Sequence, residues 1–165
     1  MSEHGGPEDT PMGLWPQVEV IDGAVEALSI LRGRVPLAIA TNASISSRPM
    51  IELALRRAGL HSFFEQIYCF TELGFRKDQP EFWRAVQHGL RVPLKHIAMV
   101  GDSYDQDAFF PRQFGVQGVW LNLHGADKRL QVATPMVTEL PCFSSWVADS
   151  AEQGQAPVFT TPEND

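Results

Sequence analysis

Three short stretches carry the side chains from which chemistry could be built. The densest is Gly101-Asp102-Ser103-Tyr104-Asp105-Gln106-Asp107, which places three carboxylates within six residues directly after the apolar run His96 to Val100. Like charges this close repel unless a cation sits among them, and a hard, oxygen-seeking ion such as Mg2+ suits carboxylates best. The plainer alternative is an acidic helix N-terminus, where the helix dipole favours Asp. Lys77 lies in a second stretch, Gly74-Phe75-Arg76-Lys77-Asp78-Gln79-Pro80. Alone it is a solvated loop charge; beside the acids it is a compact cation that neutralises carboxylates and a phosphate together. The third stretch, Ala40-Thr41-Asn42-Ala43-Ser44, offers a hydroxyl, an amide and backbone N–H groups, the donors that a phosphate oxygen accepts. Taken alone, it reads as a turn before a helix.

The intervening residues say how these stretches are positioned. Val35 to Ala40, Gln66 to Phe70, His96 to Val100 and Val116 to Leu121 are short apolar runs, with a weaker one at Met136 to Thr138. Continuous apolar runs fit strands covered on both faces. Between them, helical spacing predicts helices over Ala24 to Leu31, Pro49 to Arg57, Pro80 to Leu90 and Pro141 to Ala148. Asp22 is expected to cap the first, with Gly33 ending it, and Asp78 with Glu81 to cap the third. Strands alternating with helices imply an α/β fold, a doubly wound parallel sheet in three layers. Thr41, Lys77 and Asp102 each follow a strand, so all three are expected at one edge of that sheet.

Composition narrows the class. Thirteen basic and 20 acidic residues give a formal charge of −7, a poor basis for binding nucleic acid. Two cysteines without CxxC spacing, and no secretory leader, point to a reducing, cytoplasmic setting. No apolar run approaches the roughly 20 residues of a membrane span. Residues 1–15 and 151–165 are expected to be disordered tails around one core domain, 16–150.

In order and spacing, LAIATN, GFRKDQPEFW and IAMVGDSYDQDAFFPRQFG, with VEVIDGAVEALSIL before them and GVWLNLHG after, resemble the haloacid dehalogenase-type hydrolases. The resemblance runs from about Val18 to Ala148 and is to the branch whose cap domain lies between the first two motifs. It implies a Rossmann-like core and Mg2+-dependent hydrolysis of a small phosphorylated metabolite. By the same resemblance, Thr41, Asn42 and Lys77 would bind the phosphoryl group, and Asp102 and Asp107 would serve the metal. Lys77, Thr41 and Asp107 would be the catalytic set, with Ser103 contributing and Asp105 capping the next helix. Pro111 implies a kink or a fresh start in that helix.

The family's first motif, a strand ending in DxDxT whose first Asp attacks phosphorus, has no counterpart before Thr41, and the cap is missing too. Asp22 follows Val18 to Ile21, but Ala24 stands where the second acid would be. In the family the missing strand is central, so its loss would leave two rows of backbone donors and acceptors unpaired. Val18 to Ile21 could fill the gap, although Glu19 suits a doubly covered strand badly. Otherwise a second copy or a partner chain supplies it, or the chain is a fragment of a longer, active phosphatase. Two functions follow as expectations: a phosphatase core that is inactive or incomplete as this chain, or a non-catalytic relative that keeps binding or only the fold.

Overall fold

The structure is a computed structural model that describes residues 7, 9–125, 134–157 and 159. Its helices are α1 (Ala24–Leu31), α2 (Arg48–Arg57), α3 (Phe70–Leu73), α4 (Pro80–Leu90), α5 (Phe110–Gln113) and α6 (Leu140–Glu152). Its strands are β1 (Ala38–Thr41), β2 (Gln66–Cys69), β3 (Ala98–Gly101), β4 (Gln117–Leu121) and β5 (Met136–Val137). Strand β1 starts later than its apolar run because Pro36 has no N–H to donate. Strand β3 starts late because Leu94–His96 closes a 3-10 turn.

Every strand pair is parallel, as the alternation of elements requires. The pairs fall into two sheets, β1-β2 and β3-β4-β5, and no ladder joins β1 to β3. Helices tie the two together. Phe82, Trp83 and Val86 of α4 pack on Tyr68 of β2, with Ala38 and Ala40 of β1 and Met99 of β3 in the same cluster. The opposite face is shared: α2 covers Ile39 and Ile67 through Ile51 and Leu55, while α1 and α6 cover β4 and β5 through Leu31, Phe143 and Val147. Leu37, just before β1, joins Ala98 and Val100 of β3 in that last cluster. Three layers therefore form, with β1 and β3 innermost in the middle one.

Several expected details are corrected. Asp22 makes no capping bond: Gly23 is the N-cap of α1, at φ 76°, and a Cβ there would stand 2.9 Å from Pro141 Cδ. Gln79, not Asp78, precedes α4; its side chain accepts from Arg76 N, so the cap holds the loop rather than the helix. Val18 to Ile21 forms no strand, and Val20 and Ile21 are 36% and 41% exposed. Within the expected N-terminal tail, Met12–Leu14 makes a 3-10 turn on α2, with Met12 N donating to Ser46 Oγ and Arg57 donating to the carbonyls of Gly13 and Trp15. At the other end α6 extends to Glu152 and Phe159 stacks edge-on to Trp146. The rest of both expected tails, 1–6, 8, 158 and 160–165, lies outside the described residues.

Gly118 in β4 sets the seat of the segment after β3, since a Cβ there would lie 2.3 Å from the Ala108 carbonyl oxygen. Backbone cannot yield as a flexible side chain would. Gly118→Ala is expected to cost about 1–3 kcal/mol of stability, read as a lower urea midpoint at unchanged m-value.

Candidate active site

The site grows from the ends of β1 and β3 and from the loop between α3 and α4. Thr41 is the last residue of β1, and its Oγ1 accepts from Ala43 N at 3.1 Å. That bond fixes the hydroxyl oxygen and leaves its O–H to donate. Asn42, next in the chain, ties three loops together. Its Oδ1 accepts from Lys77 N at 2.9 Å, its Nδ2 donates to Gln106 Oε1 at 3.0 Å, and its carbonyl accepts from Arg76 Nη1 at 3.2 Å. Its Oδ1 and one Nδ2 hydrogen are thus committed to the protein; the second Nδ2 hydrogen remains to offer a ligand.

Lys77 is buried, and its ammonium donates to Asp107 Oδ1, also buried. Its carbonyl accepts from Trp83 Nε1 at 2.8 Å, which anchors the loop to the first turn of α4. The second Asp107 oxygen accepts from Ser103 N at 3.0 Å. This geometry needs Gly101: a Cβ there would fall 2.2 Å from Asp107 Oδ2. Tyr104–Phe109 forms a π-helical turn, and α5 begins at once with Pro111 in its first turn, as the sequence led one to expect of that proline. Ser103, not Asp105, caps this turn, its Oγ accepting from Gln106 N at 3.5 Å. Asp105 is exposed.

These bonds bring Thr41, Asn42, Lys77 and Asp107 to one place, with Asp102 on the loop leaving β3. Asp102 is fixed by its backbone, the carbonyl accepting from Trp120 Nε1 at 3.0 Å, and its side chain is exposed. Arg76 stands half-buried beside Lys77 with its guanidinium 4.0 Å over the Phe70 ring. Sequence reasoning passed over Arg76 and Gln106. Arg76 had a signal, a second cation adjoining Lys77; Gln106 had none, because only the fold brings it to Asn42.

The donor set does not by itself make a magnesium site. Magnesium needs near-octahedral oxygen ligation, commonly with one or two carboxylates. Each Asp107 oxygen already accepts one hydrogen bond, from Lys77 and from Ser103 N, while the Asp102 carboxylate is exposed. Among the described residues, no group of three or more His, Cys, Asp or Glu could hold a metal ion. Nor is any helix among them long and apolar enough to cross a membrane.

Residues 8–115 match the family model described as haloacid dehalogenase-like hydrolase. The chain is 30% identical over 107 residues to the Bacillus subtilis HAD-hydrolase YfnB, covering 63% of this chain and 43% of that one. It is 28% identical over 105 residues to the Escherichia coli pyrimidine 5'-nucleotidase YjjG, covering 63% and 45%. It is 34% identical over 97 residues to a Pseudomonas (S)-2-haloacid dehalogenase, covering 58% and 41%. The chain therefore spans less than half the length of these curated relatives. Among solved structures, magnesium-bound YfnB superposes with a TM-score of 0.68 at 24% identity, covering 78% of this chain and 56% of that one. An uncharacterized Listeria monocytogenes protein gives 0.74 at 20% identity, covering 88% of each.

The Lys77–Asp107 pair yields a direct test. Breaking a buried ion pair from one side strands the other charge, at about 3–5 kcal/mol. Lys77→Met and Asp107→Asn should each destabilise on that scale in chemical denaturation. The double variant should lose clearly less than the sum; additive losses would mean that the two charges do not depend on each other.

Proposed function

The chain belongs to the haloacid dehalogenase-like hydrolases, and on that premise we propose that it is a phosphatase-type core that binds the phosphate of a small phosphorylated molecule. The observation that carries the reading is the junction at the end of β1, where Asn42 accepts from the Lys77 backbone N–H and from the Arg76 guanidinium, Ala43 N fixes the neighbouring Thr41 hydroxyl, and Asp107 holds the Lys77 ammonium. Donors of two cationic kinds and a hydroxyl suit an anion with several oxygens, and phosphoryl chemistry relies chiefly on such positioning and charge neutralisation. The relatives named a nucleotidase and a haloacid dehalogenase both fit the family; a phosphate, with more oxygens than a haloacid carboxylate, makes fuller use of these donors.

In this reading Thr41 donates its O–H to one phosphate oxygen. Lys77 faces the ligand with its charge partly cancelled by Asp107, which positions the ammonium rather than reacting. Arg76, stacked on Phe70, supplies a second cation. The remaining acids of the loop after β3, Asp102 and Asp105, are exposed, and Asp22 lies exposed at the start of α1. None of them is held by a bond that would aim it at phosphorus. The second reading, a binding protein without turnover, draws on that same fact.

Removing a hydrolase nucleophile can cost on the order of 10⁶ in turnover. The chain is accordingly expected to release little or no phosphate from an aryl phosphate with magnesium present. Robust turnover lost in Asp22→Asn would make Asp22 the nucleophile; turnover indifferent to Asp22 but lost in Asp102→Asn would point to activated water. Orthophosphate binding, followed by NMR shifts, should weaken in Thr41→Val. Magnesium titrated by calorimetry should bind weakly, because affinity follows ligand charge and number. Tight binding that survives Asp102→Asn would place the ligands elsewhere.

A further inference from the structure

Among the described arginines Arg48 and Arg76 are half-buried and the others exposed. Partial burial costs a guanidinium some of its hydration, and a carboxylate or another polar partner offsets that loss. Arg48 has such partners, pairing with Glu52 at 3.1 Å and with Glu72 at 3.5 Å. Arg76 differs. None of the described carboxylates pairs with it, although acids outnumber bases 20 to 13 and Asp78 follows closely in the chain. Its guanidinium lies 4.0 Å over the Phe70 ring and donates to the Asn42 carbonyl at 3.2 Å, while its backbone N donates to Gln79 Oε1 at 2.8 Å. Holding that carbonyl takes a single donor. The other N–H groups of the fork are bonded to no described residue, so the side chain is fixed in place with most of its hydrogen-bonding capacity unspent.

We infer that Arg76 determines specificity: it receives a carboxylate that the ligand carries beside its phosphate, so the molecule bound is a small phosphorylated acid. The inference rests on the phosphate reading and narrows it. Asn42 directly follows Thr41 and also accepts from the Lys77 backbone N–H, so a guanidinium held on the Asn42 carbonyl stands beside the phosphate donors. Arg76 and Lys77 are chain neighbours whose side chains part. One ammonium goes inward to Asp107, and the guanidinium goes to the rim over Phe70. Stacking on the ring fixes the plane of the fork and leaves its edges to a coplanar acceptor; a carboxylate accepts parallel N–H bonds in that plane. Charge decides between a carboxylate and a second phosphoryl group. A single guanidinium balances a single carboxylate. A second phosphoryl group would bring up to about two negative charges to a site flanked by exposed Asp78 and Asp102, in a chain of net charge −7.

The test compares 3-phosphonopropionate with propylphosphonate, which share a non-hydrolysable phosphonate and differ by a carboxylate in place of a methyl group. Titrated into the whole chain and followed by NMR, 3-phosphonopropionate should bind about tenfold more tightly. It alone should move the Arg76 Nε–H resonance. Thr41→Val should weaken both ligands and preserve the preference, whereas Arg76→Gln should abolish the preference. A merely structural Arg76 would shift both affinities together and keep their ratio. Equal affinities in the native chain would overturn the inference and leave the phosphate reading standing, as would a preference that survives Arg76→Gln. Should Arg76→Gln not fold, the native resonance decides: if it stays unmoved at saturation with 3-phosphonopropionate, Arg76 does not hold the carboxylate. Binding of neither phosphonate nor orthophosphate would instead remove the phosphate reading, and the inference with it.

Discussion

One buried ammonium and one buried carboxylate organise this end of the molecule. Lys77 and Asp107 come from segments 30 residues apart, and neither charge would survive burial without the other. Their meeting imposes conditions on everything near it. Residue 101 must lack a Cβ, the loop before α4 must be pinned through Trp83, and Ser103 N must satisfy the second carboxylate oxygen. Asn42 then locks β1 to both loops. The cluster is thus held largely by its own polar bonds, which lets it persist although the strands beneath it belong to separate sheets.

How far this was legible in the sequence depends on the range of the interaction. Most helices and strands followed from local periodicity, but boundaries moved: β1 and β3 start late, β2 gives way to the unexpected short helix α3 at Phe70, and α6 runs on to Glu152. Thr41, Lys77 and the acids after β3 were recognisable because each follows an apolar run. Caps were read less well. Asp22 and Asp78 are good capping residues, but Gly23 and Gln79 took the positions because a neighbouring Pro141 and a loop N–H decided the geometry. The internal partners of Asn42 and Asp107 depend on who stands opposite them in space. No spacing encodes that.

The divided sheet was foreseeable in kind and not in detail. A missing central strand follows from the absence of a suitable apolar run before Thr41, but the outcome of that absence did not. The one apolar segment available, Val18 to Ile21, stays outside, and Glu19 supplies the reason: an unpaired carboxylate between two helical layers costs more than three apolar side chains return. The usual gradient of burial is accordingly inverted, with the inner strands wetter than their outer partners.

The π-helical turn at Tyr104–Phe109 has a consequence for how this segment tolerates change in length. A widened turn holds one residue more than an α-helical turn, and here Phe110 N reaches back to Asp105 O. Asp107 lies inside it. Deleting one residue between Ser103 and Asp107 would tighten the turn to ordinary pitch and swing the following side chains by about 100° around the axis. The carboxylate would leave Lys77 and an apolar neighbour would take its place. Substitutions here can be graded, but the register of this turn is all-or-none: its residue count is as much a part of the site as the residues themselves.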